Sequence, residues 1–193
     1  MKCSKFKHNK NDFFEGPLIL QPEVYKDERG YFIENWNMKN FDEILKRPSI
    51  FVQDNQSISR KGVLRGMHYQ TSPFAQGKLV SCSNGSVFDV IIDLRKNSDT
   101  FSFWAGIELK ASNFLQLWIP PGFAHGFLSL EMNTIFQYKV TNYYSKNNER
   151  SLLWNDSIIN INWPEIGSEF LISEKDSKAF SFNELVTIDN SFE

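Results

Sequence analysis

The sequence has 193 residues, of which 41% are hydrophobic and 23% are charged, and its formal net charge is −2. This length and balance predict one globular domain, residues 1–193, that is long enough to bury a sizeable core. The charge argues against a nucleic-acid partner held by a broad basic field, but it leaves room for a local cationic pocket.

The N-terminal residues and the distribution of apolar residues bear on location. Residues 1–11 are polar and basic with no apolar stretch behind them, so they do not resemble a secretory signal, and we expect a disordered tail. No run of about eighteen apolar residues is present that would span a membrane. Cys3 in this tail and Cys82 in a strand-like run suggest neither a disulfide scaffold nor a metal knuckle. We therefore predict a cytoplasmic protein without a membrane partner.

Short strand-like runs follow one another at close spacing along the chain, separated by Gly, Pro, Asn and Ser. Aromatic residues reach 15%, with 18 Phe, and aromatic side chains favour strands. This pattern predicts an all-β sandwich or barrel rather than alternating β and α units. In chain order, the predicted strands are Pro17–Gln21, Gly30–Trp36, Phe51–Ile58, Val63–Gln70, Lys78–Ser83, Ser86–Leu94, Phe103–Leu109, Phe114–Ile119, Gly126–Leu130 and Thr134–Thr141.

Helical patterns are few. Phe41–Lys46 predicts one short helix, and the capping box of Ser173 to Asp176 predicts a second. Residues 165–193 are less regular, and we expect them to wrap around the barrel. Within the predicted strand Ser86–Leu94, apolar residues alternate with two aspartates, which is typical of a strand with one buried face.

His68 is the first candidate for chemistry. Residues 71–77 resemble a connection between two strands, and symmetric pairing about Pro73 places His68 opposite Lys78, with Cβ atoms roughly 5 Å apart. A lysine beside a histidine is a poor structural choice because like charges repel. It is a sensible catalytic choice, because it favours a neutral imidazole that can accept a proton. The alternative is a strand histidine with a structural role.

Arg65 can share a pocket with His68 only if the strand that carries both residues is irregular. In a regular strand, residues 65 and 68 point to opposite faces. A bulge at Gly66 would bring Arg65 and His68 to one face, and without it Arg65 faces solvent.

Further polar residues have two possible roles each. Tyr138 lies on a face that its composition predicts to point inward, where it could act on a ligand or form part of the core. Gln53 and Asn55 point the same way and could contact a nucleobase or border a loop. Asp176 could serve a site or only cap its own helix.

His125 lies in a Pro-x-Gly-x-x-His run, residues 120–125, that resembles the second motif of metal-binding cupins. Those proteins usually add a His-x-His pair and a glutamate, whereas here the corresponding place reads His68-Tyr69-Gln70. Two histidines without a third ligand make a weak metal site, so we predict no metal. The sequence also has neither a glycine-rich phosphate loop before a helix nor a Gly-x-Ser-x-Gly elbow.

From about Gly16 to Asp176 the chain resembles the dTDP-4-dehydrorhamnose 3,5-epimerase family. Met67 departs from the leucine that is common in this family, which is a small change in volume. The motifs that carry the resemblance are Asp27–Glu34, Val52–Asn55, Gly62–Gln70, Ala75–Val80, Val87–Val90, Leu117–Phe127 and Tyr138–Tyr144.

The resemblance implies a cupin-like double-sheet jelly roll with a few short peripheral helices, without a metal or an organic cofactor. It implies a homodimer with an exchanged N-terminal strand. The implied substrate is dTDP-4-dehydro-6-deoxyglucose, inverted at C3 and C5 for dTDP-L-rhamnose synthesis. The implied chemical roles are the base His68, its partner Asp176, the acid Tyr138 and the oxyanion donor Lys78. The implied ligand contacts are Arg29, Glu34, Gln53, Asn55, Arg65, His125, Glu149 and Lys175.

Other functions share parts of this pattern. A related enzyme could act on one carbon only, or on another nucleotide-linked 4-keto sugar, and a ketoisomerase could use the same fold. A non-catalytic sugar-nucleotide-binding module and a metal-dependent cupin oxygenase are the alternatives from other classes.

Overall fold

The computed structural model describes residues 1–188, which form fourteen strands and three short helices. The strands are β1 (Lys2–Lys7), β2 (Phe13–Gln21), β3 (Val24–Asp27), β4 (Gly30–Ile33), β5 (Gln53–Ser59), β6 (Val63–Gln70), β7 (Lys78–Asn84), β8 (Ser86–Asp93), β9 (Trp104–Lys110), β10 (Gln116–Ile119), β11 (Phe123–Ser129), β12 (Thr134–Val140), β13 (Glu149–Ser151) and β14 (Leu171–Ile172). The helices are α1 (Met38–Leu45), α2 (Glu174–Ser177) and α3 (Phe182–Ile188).

Two sheets face each other around the main core. The first sheet has the order β1-β2-β10-β7-β12-β5, and the second has the order β13-β6-β11-β8-β9, with β14 parallel to β6. Strands β3 and β4 form a separate hairpin. The core between the sheets contains aliphatic and aromatic residues from both, including Val80, Ile91 and Phe136. This architecture confirms the predicted cupin-like double-sheet jelly roll with short peripheral helices.

Strand β8 is buried on both faces, so the prediction of a half-buried strand was wrong. Asp89 and Asp93 are both 0% exposed. The opposite face of β8 is covered as well, because Phe182 and Leu185 of α3 pack in one cluster with Val90. Since a buried carboxylate needs polar partners, these two aspartates must be hydrogen-bonded within the protein.

The N-terminal residues are ordered, contrary to the expectation of a disordered tail in residues 1–11. Strand β1 pairs antiparallel with β2, from Lys2 opposite Gln21 to Lys5 opposite Leu18. Phe6 is buried in the core, so the segment is held by apolar packing as well as by backbone hydrogen bonds.

Both predicted helices are present. Helix α1 contains most of the predicted range and begins after Asn37, whose side chain accepts a hydrogen bond from the Asn40 N–H. Helix α2 begins after Ser173, whose side chain accepts from the Asp176 N–H. The predicted C-terminal wrap is irregular up to β14 and then forms α2 and α3, and its last residues, 189–193, lie outside the described part. None of the helices in residues 1–188 combines the length and the apolar character needed to cross a bilayer.

Candidate active site

A cavity of about 430 Å³ lies between the two sheets. Strands β6 and β11 form one wall and β5, β7 and β12 form the other, while α2 and β13 border its mouth. Eight of the twelve predicted site residues line this cavity: Arg65, His68, Lys78, His125, Tyr138, Glu149, Lys175 and Asp176.

His68 and Asp176 form a hydrogen-bonded pair within this cavity. His68 Nε2 lies 2.6 Å from Asp176 Oδ1, and Asp176 Oδ2 accepts from the Gly66 N–H at 3.4 Å. Burial opposes ionisation of Asp176, but the hydrogen bond and charge of His68 outweigh this effect, and the pKa of Asp176 is lowered. In the neutral imidazole, the proton belongs on Nε2 because a carboxylate accepts the bond, and the Nδ1 lone pair is then free.

The side chain of Asp176 therefore does more than cap a helix. The Asp176 N–H donates to Ser173 Oγ at 3.1 Å, so Ser173 is the residue that caps the helix. The carboxylate of Asp176 points away from the helix toward His68. The short helix α2 thus sets the position of this carboxylate.

A bulge in β6 brings Arg65 and His68 to one cavity, which is one of the two alternatives that the sequence left open. His68 pairs with His125 and Arg65 pairs with Phe127, so three steps along β6 oppose two steps along β11. Gly66 lies at this irregularity with a φ of 128°, in the region that L side chains rarely adopt. A Cβ atom at Gly66 would lie 2.5 Å from the backbone of strand β11, so only glycine fits there.

Lys78 is not the cross-strand neighbour of His68, so that part of the prediction was wrong. His68 pairs with His125 on one side and with Ser151 on the other. The reason is that residues 71–77 carry the chain from the second sheet to the first instead of closing a hairpin. Lys78 still reaches His68 from the facing sheet, because its Nζ donates to the His68 carbonyl oxygen at 3.2 Å.

The ammonium group of Lys78 is held in a buried position. Burial lowers the pKa of Lys78 to about 8, and the nearby carboxylates of Asp89 and Glu149 oppose this effect only in part. At neutral pH, Lys78 is therefore a cation whose pKa lies close to the pH of the solution.

Tyr138 enters the cavity from the wall opposite to His68. It lies on β12 in the first sheet, whereas His68 lies on β6 in the second. Burial raises the pKa of Tyr138, and the positive charge of Arg65 counteracts this effect. The phenol is thus kept protonated over the physiological range.

His125 is paired with Asp89, a residue that the sequence reasoning did not assign to the site. Their Nε2 and Oδ2 atoms are 2.8 Å apart and both side chains are buried. Burial lowers the pKa of His125 and raises the pKa of Asp89, and each partner opposes the shift of the other. The signal in the sequence that could have identified Asp89 is an acidic residue within a mostly apolar strand. Across residues 1–188, no group of three or more His, Cys, Asp or Glu is placed to hold a metal ion.

The mouth of the cavity carries a second polar cluster. Glu149 accepts from Lys175 Nζ at 2.8 Å and from the Tyr144 hydroxyl at 3.2 Å. Burial disfavours the charged form of Glu149, but the bond from Lys175 prevails and its pKa is lowered. Gln70 holds the adjacent loop, since its side chain accepts from the Ser145 N–H at 2.7 Å. Tyr144 and Gln70 also line the cavity and were not predicted.

Four predicted contacts lie outside the cavity wall. The amides of Gln53 and Asn55 share one face, as expected, and bond to each other at 2.8 Å. Arg29 and Glu34 lie on and directly after the exposed hairpin of β3 and β4, where Arg29 pairs with Asp27 at 2.6 Å. Within one subunit, these four residues are therefore not brought to His68.

Comparisons with known proteins identify the family of this chain. Residues 13–184 match the family model described as dTDP-4-dehydrorhamnose 3,5-epimerase. A protein of that name from Shigella flexneri is 54% identical over 165 residues, which cover 86% of this chain and 90% of the relative. A protein of the same name from Escherichia coli K12 is 49% identical over 174 residues, which cover 90% of this chain and 94% of the relative.

Solved structures give the same result. The dTDP-6-deoxy-D-glucose-3,5-epimerase of Legionella pneumophila, in complex with dTDP-4-keto-L-rhamnose, has a TM-score of 0.88 and 42% identity, covering 99% of this chain and 97% of that one. A 3′-monoepimerase from Streptomyces bikiniensis, in complex with dTDP-quinovose, has a TM-score of 0.86 and 28% identity, covering 90% and 87%. By sequence and by structure, the chain belongs to the dTDP-4-dehydrorhamnose 3,5-epimerase family.

Proposed function

We propose that this protein inverts C3 and C5 of dTDP-4-dehydro-6-deoxyglucose to give dTDP-4-dehydro-L-rhamnose, a step of dTDP-L-rhamnose biosynthesis. Besides family membership, one observation carries the proposal. The imidazole of His68 and the phenol of Tyr138 approach one sugar-sized cavity from facing sheets, and the buried ammonium of Lys78 lies beside them.

The first step is removal of a proton next to the ketone. C3 and C5 flank the C4 carbonyl, which acidifies their hydrogens. The free Nδ1 of His68 takes the proton, and a positioned base contributes about 10²–10⁴-fold to such a step. Asp176, 2.6 Å from Nε2, fixes the orientation of the ring and stabilises the imidazolium that forms.

The second component is stabilisation of the enolate. When the proton leaves, negative charge moves to the C4 oxygen. The Lys78 ammonium is shielded from water, so a hydrogen bond from it to this oxygen is stronger than it would be in solvent. Loss of one such donor typically costs on the order of 10²–10³ in rate.

Inversion requires a proton donor on the other face of the sugar. Tyr138 meets this requirement, because it comes from the sheet opposite to His68 and its raised pKa keeps the hydroxyl protonated. A proton removed on the His68 side and returned on the Tyr138 side inverts the carbon.

The remaining predicted residues bind and position the substrate. Arg65 and Arg29 suit the diphosphate and the nucleotide, and His125, Glu149 and Lys175 are further ligand contacts. We further propose a homodimer in which the β3–β4 hairpin crosses to the other subunit and carries Arg29 and Glu34 to the site there. The residues of the receiving subunit that would join them are Gln53 and Asn55.

The hairpin itself supports the dimer. Tyr25, Tyr31 and Phe32 are 55%, 62% and 69% exposed on it, which is a cluster that a second subunit would cover. The cytoplasmic location expected from the sequence stays a prediction, and cell fractionation tests it.

Hydrogen exchange in deuterated water tests the enzyme directly. Purified protein is expected to replace the C3 and C5 hydrogens of the sugar by deuterium, as measured by NMR. His68→Ala is expected to abolish this exchange while the thermal unfolding midpoint stays close to that of the wild type. Full activity in His68→Ala would end the proposal, and binding without exchange in the wild type would indicate a non-catalytic binding module.

One alternative has a specific observation behind it. The structure is also similar, at 28% identity, to a monoepimerase that acts at C3′. Such an enzyme would retain His68 and Tyr138 but invert one centre. The stereochemistry of the product by NMR separates the two, since a monoepimerase incorporates deuterium with inversion at C3 alone.

A further inference from the structure

Two loop segments near the mouth of the cavity are fastened to each other by side-chain amides. Residues 71–77 connect β6 to β7, and residues 141–148 connect β12 to β13. Gln76 Nε2 donates to the Asn142 carbonyl oxygen at 2.8 Å, and Asn142 Nδ2 donates to the Pro73 carbonyl oxygen at 3.1 Å. Each segment therefore limits the movement of the other.

Gln70, the last residue of β6, bonds to both segments with one buried amide. The side chain is 4% exposed, and its Nε2 donates to the carbonyl oxygens of Phe74 at 2.7 Å and Tyr143 at 3.1 Å, one in each segment. Its Oε1 accepts from the Ser145 N–H at 2.7 Å. Three backbone groups thus share a single amide, and loss of that amide removes their partner at once.

The segment 141–148 carries part of the cavity wall. Tyr144 lies between the two residues of this segment whose backbone groups bond to Gln70, so these bonds set the origin of its side chain. Glu149 directly follows the segment and pairs with Gln70 across β13 and β6. The Tyr144 hydroxyl donates to Glu149 at 3.2 Å, and both side chains line the cavity.

We infer that Gln70 is a positioning residue, which fixes segment 141–148 so that Tyr144 and Glu149 are already in place when the nucleotide sugar binds. A ligand that met a loose segment would have to order it, and the entropy lost in ordering would weaken binding. This inference rests on the proposed function, since it concerns the ligand of the same site.

The groups proposed for proton transfer are anchored elsewhere. His68, Lys78 and Tyr138 lie on β6, β7 and β12, whose ladders do not include segment 141–148. Loss of the amide at Gln70 is therefore expected to act on binding more than on the chemical step.

Calorimetric titration of dTDP-glucose, which has no ketone to activate its hydrogens, tests the inference. Gln70→Leu removes all three hydrogen bonds and is expected to weaken binding about tenfold or more. In initial-rate kinetics with the 4-keto substrate, KM should rise while kcat changes much less. Gln56→Leu, on the exposed face of β5, is the matched control and should change neither value.

A carboxyl group at this position separates the hydrogen bonds of Gln70 from its packing. In Gln70→Glu the Ser145 N–H keeps an acceptor, but a carboxylate has no proton for the two carbonyl oxygens. Burial raises the pKa of the introduced carboxyl, which once protonated donates to one of them. The affinity relative to the wild type is therefore expected to be higher at pH 5 than at pH 8. The neighbouring titratable groups are present in both proteins, so this ratio removes their own effect: His68, Lys78, Tyr144, Glu149 and Lys175.

Trypsin reports on the segment in the absence of ligand. Lys146 is exposed within residues 141–148. The peptide bond after Lys146 is expected to be cut faster in Gln70→Leu than in the wild type, and dTDP-glucose is expected to slow the cut. Mass spectrometry of the fragments identifies the position.

Wild-type affinity in Gln70→Leu, or a fall in kcat at unchanged KM, would overturn the inference, as would equal cleavage after Lys146 in both proteins. If Gln70→Leu does not fold, Asn148→Ala replaces it, because it removes the bonds from Asn148 Nδ2 to Thr71 Oγ1 at 3.1 Å and to the Ser72 carbonyl oxygen at 3.2 Å. The proposed function is judged separately by deuterium exchange. A wild type that binds dTDP-glucose but does not exchange the hydrogens of the 4-keto substrate contradicts the enzyme proposal alone.

Discussion

His68 Nε2 and Asp176 Oδ1 are 2.6 Å apart, although 108 positions separate the two residues in the chain. The contact exists because β14 runs parallel to the start of β6, which places α2 directly beside the bulge at Gly66. The pairing of His68 and Asp176 is thus built by the C-terminal segment, which packs over the cavity.

Asp176→Asn tests this pairing. The substitution keeps the shape of the side chain but removes its charge, so the imidazolium formed during proton abstraction loses its stabilising partner. We expect kcat to fall on the order of 10²-fold or more, with a smaller change in KM. The measurement is the initial rate of deuterium exchange by NMR. Glu174→Gln, an exposed carboxylate on the same helix, is the control and should leave the rate unchanged.

The buried ammonium of Lys78 predicts an alkaline limit to activity. Since its pKa in the ligand-free protein is about 8 and the charged form would bind the enolate in the proposed mechanism, kcat/KM is expected to decline tenfold per pH unit above about 8. Lys78→Arg carries a charge that does not titrate in this range, so its activity, although lower, should lack this decline. An identical alkaline limb in Lys78→Arg would show that another group is responsible.

Lys78 also predicts how stability depends on pH. Its pKa in the folded state is below its ordinary value of 10.5, so between about pH 8 and 10.5 the unfolded chain binds more protons. Stability therefore rises with pH across this window. Relative to Lys78→Met, the wild type should gain up to roughly 3 kcal/mol in free energy of unfolding. Urea unfolding at several pH values measures it, and a flat difference would contradict the shift.

Tyr138→Phe should uncouple exchange from inversion. His68 can still remove a proton and return it on the same face, whereas the donor on the opposite face is gone. We expect deuterium to enter the sugar while the yield of inverted product falls by about 10²-fold or more. NMR follows both in one sample. Tyr143→Phe, on an exposed tyrosine, serves as the control, and normal inversion by Tyr138→Phe would assign the acid elsewhere.

Phe32→Asp is expected to weaken the proposed dimer. A charge in the centre of the exposed hairpin cluster would have to be buried at the interface without a partner. Light scattering should show a shift toward monomer, with a loss of activity that higher protein concentration partly restores. Ile158→Asp, at an exposed position away from the hairpin, is the control. A wild type that is itself monomeric would contradict the proposal.

Local features were accessible from the sequence because they depend on neighbouring residues. The pattern of apolar residues predicted strand β6 with its observed bounds, Val63–Gln70. The single glycine between Arg65 and His68 indicated the bulge, since only that residue tolerates the required φ. The capping box at Ser173 indicated helix α2 for a similar reason.

Two of the errors concern contacts between distant segments. His68 and Lys78 were expected to pair across a hairpin, but residues 71–77 cross between sheets, and this depends on which strands meet in the barrel. Asp89 was assigned to the exposed face of a half-buried strand, because no neighbouring residue in the sequence indicates that α3 covers the apolar face of β8.

The order of residues was enough to predict the strand pattern, the family and the residue types proposed to carry the chemistry, because periodicity, glycine geometry and capping act over a few residues. The folded chain was needed to establish that the imidazole of His68 and the phenol of Tyr138 enter one cavity from facing sheets and that the carboxylate of Asp176 reaches His68. Those relationships arise from the packing of two sheets and a closing C-terminal segment, in which contacts form between residues that no short-range pattern connects.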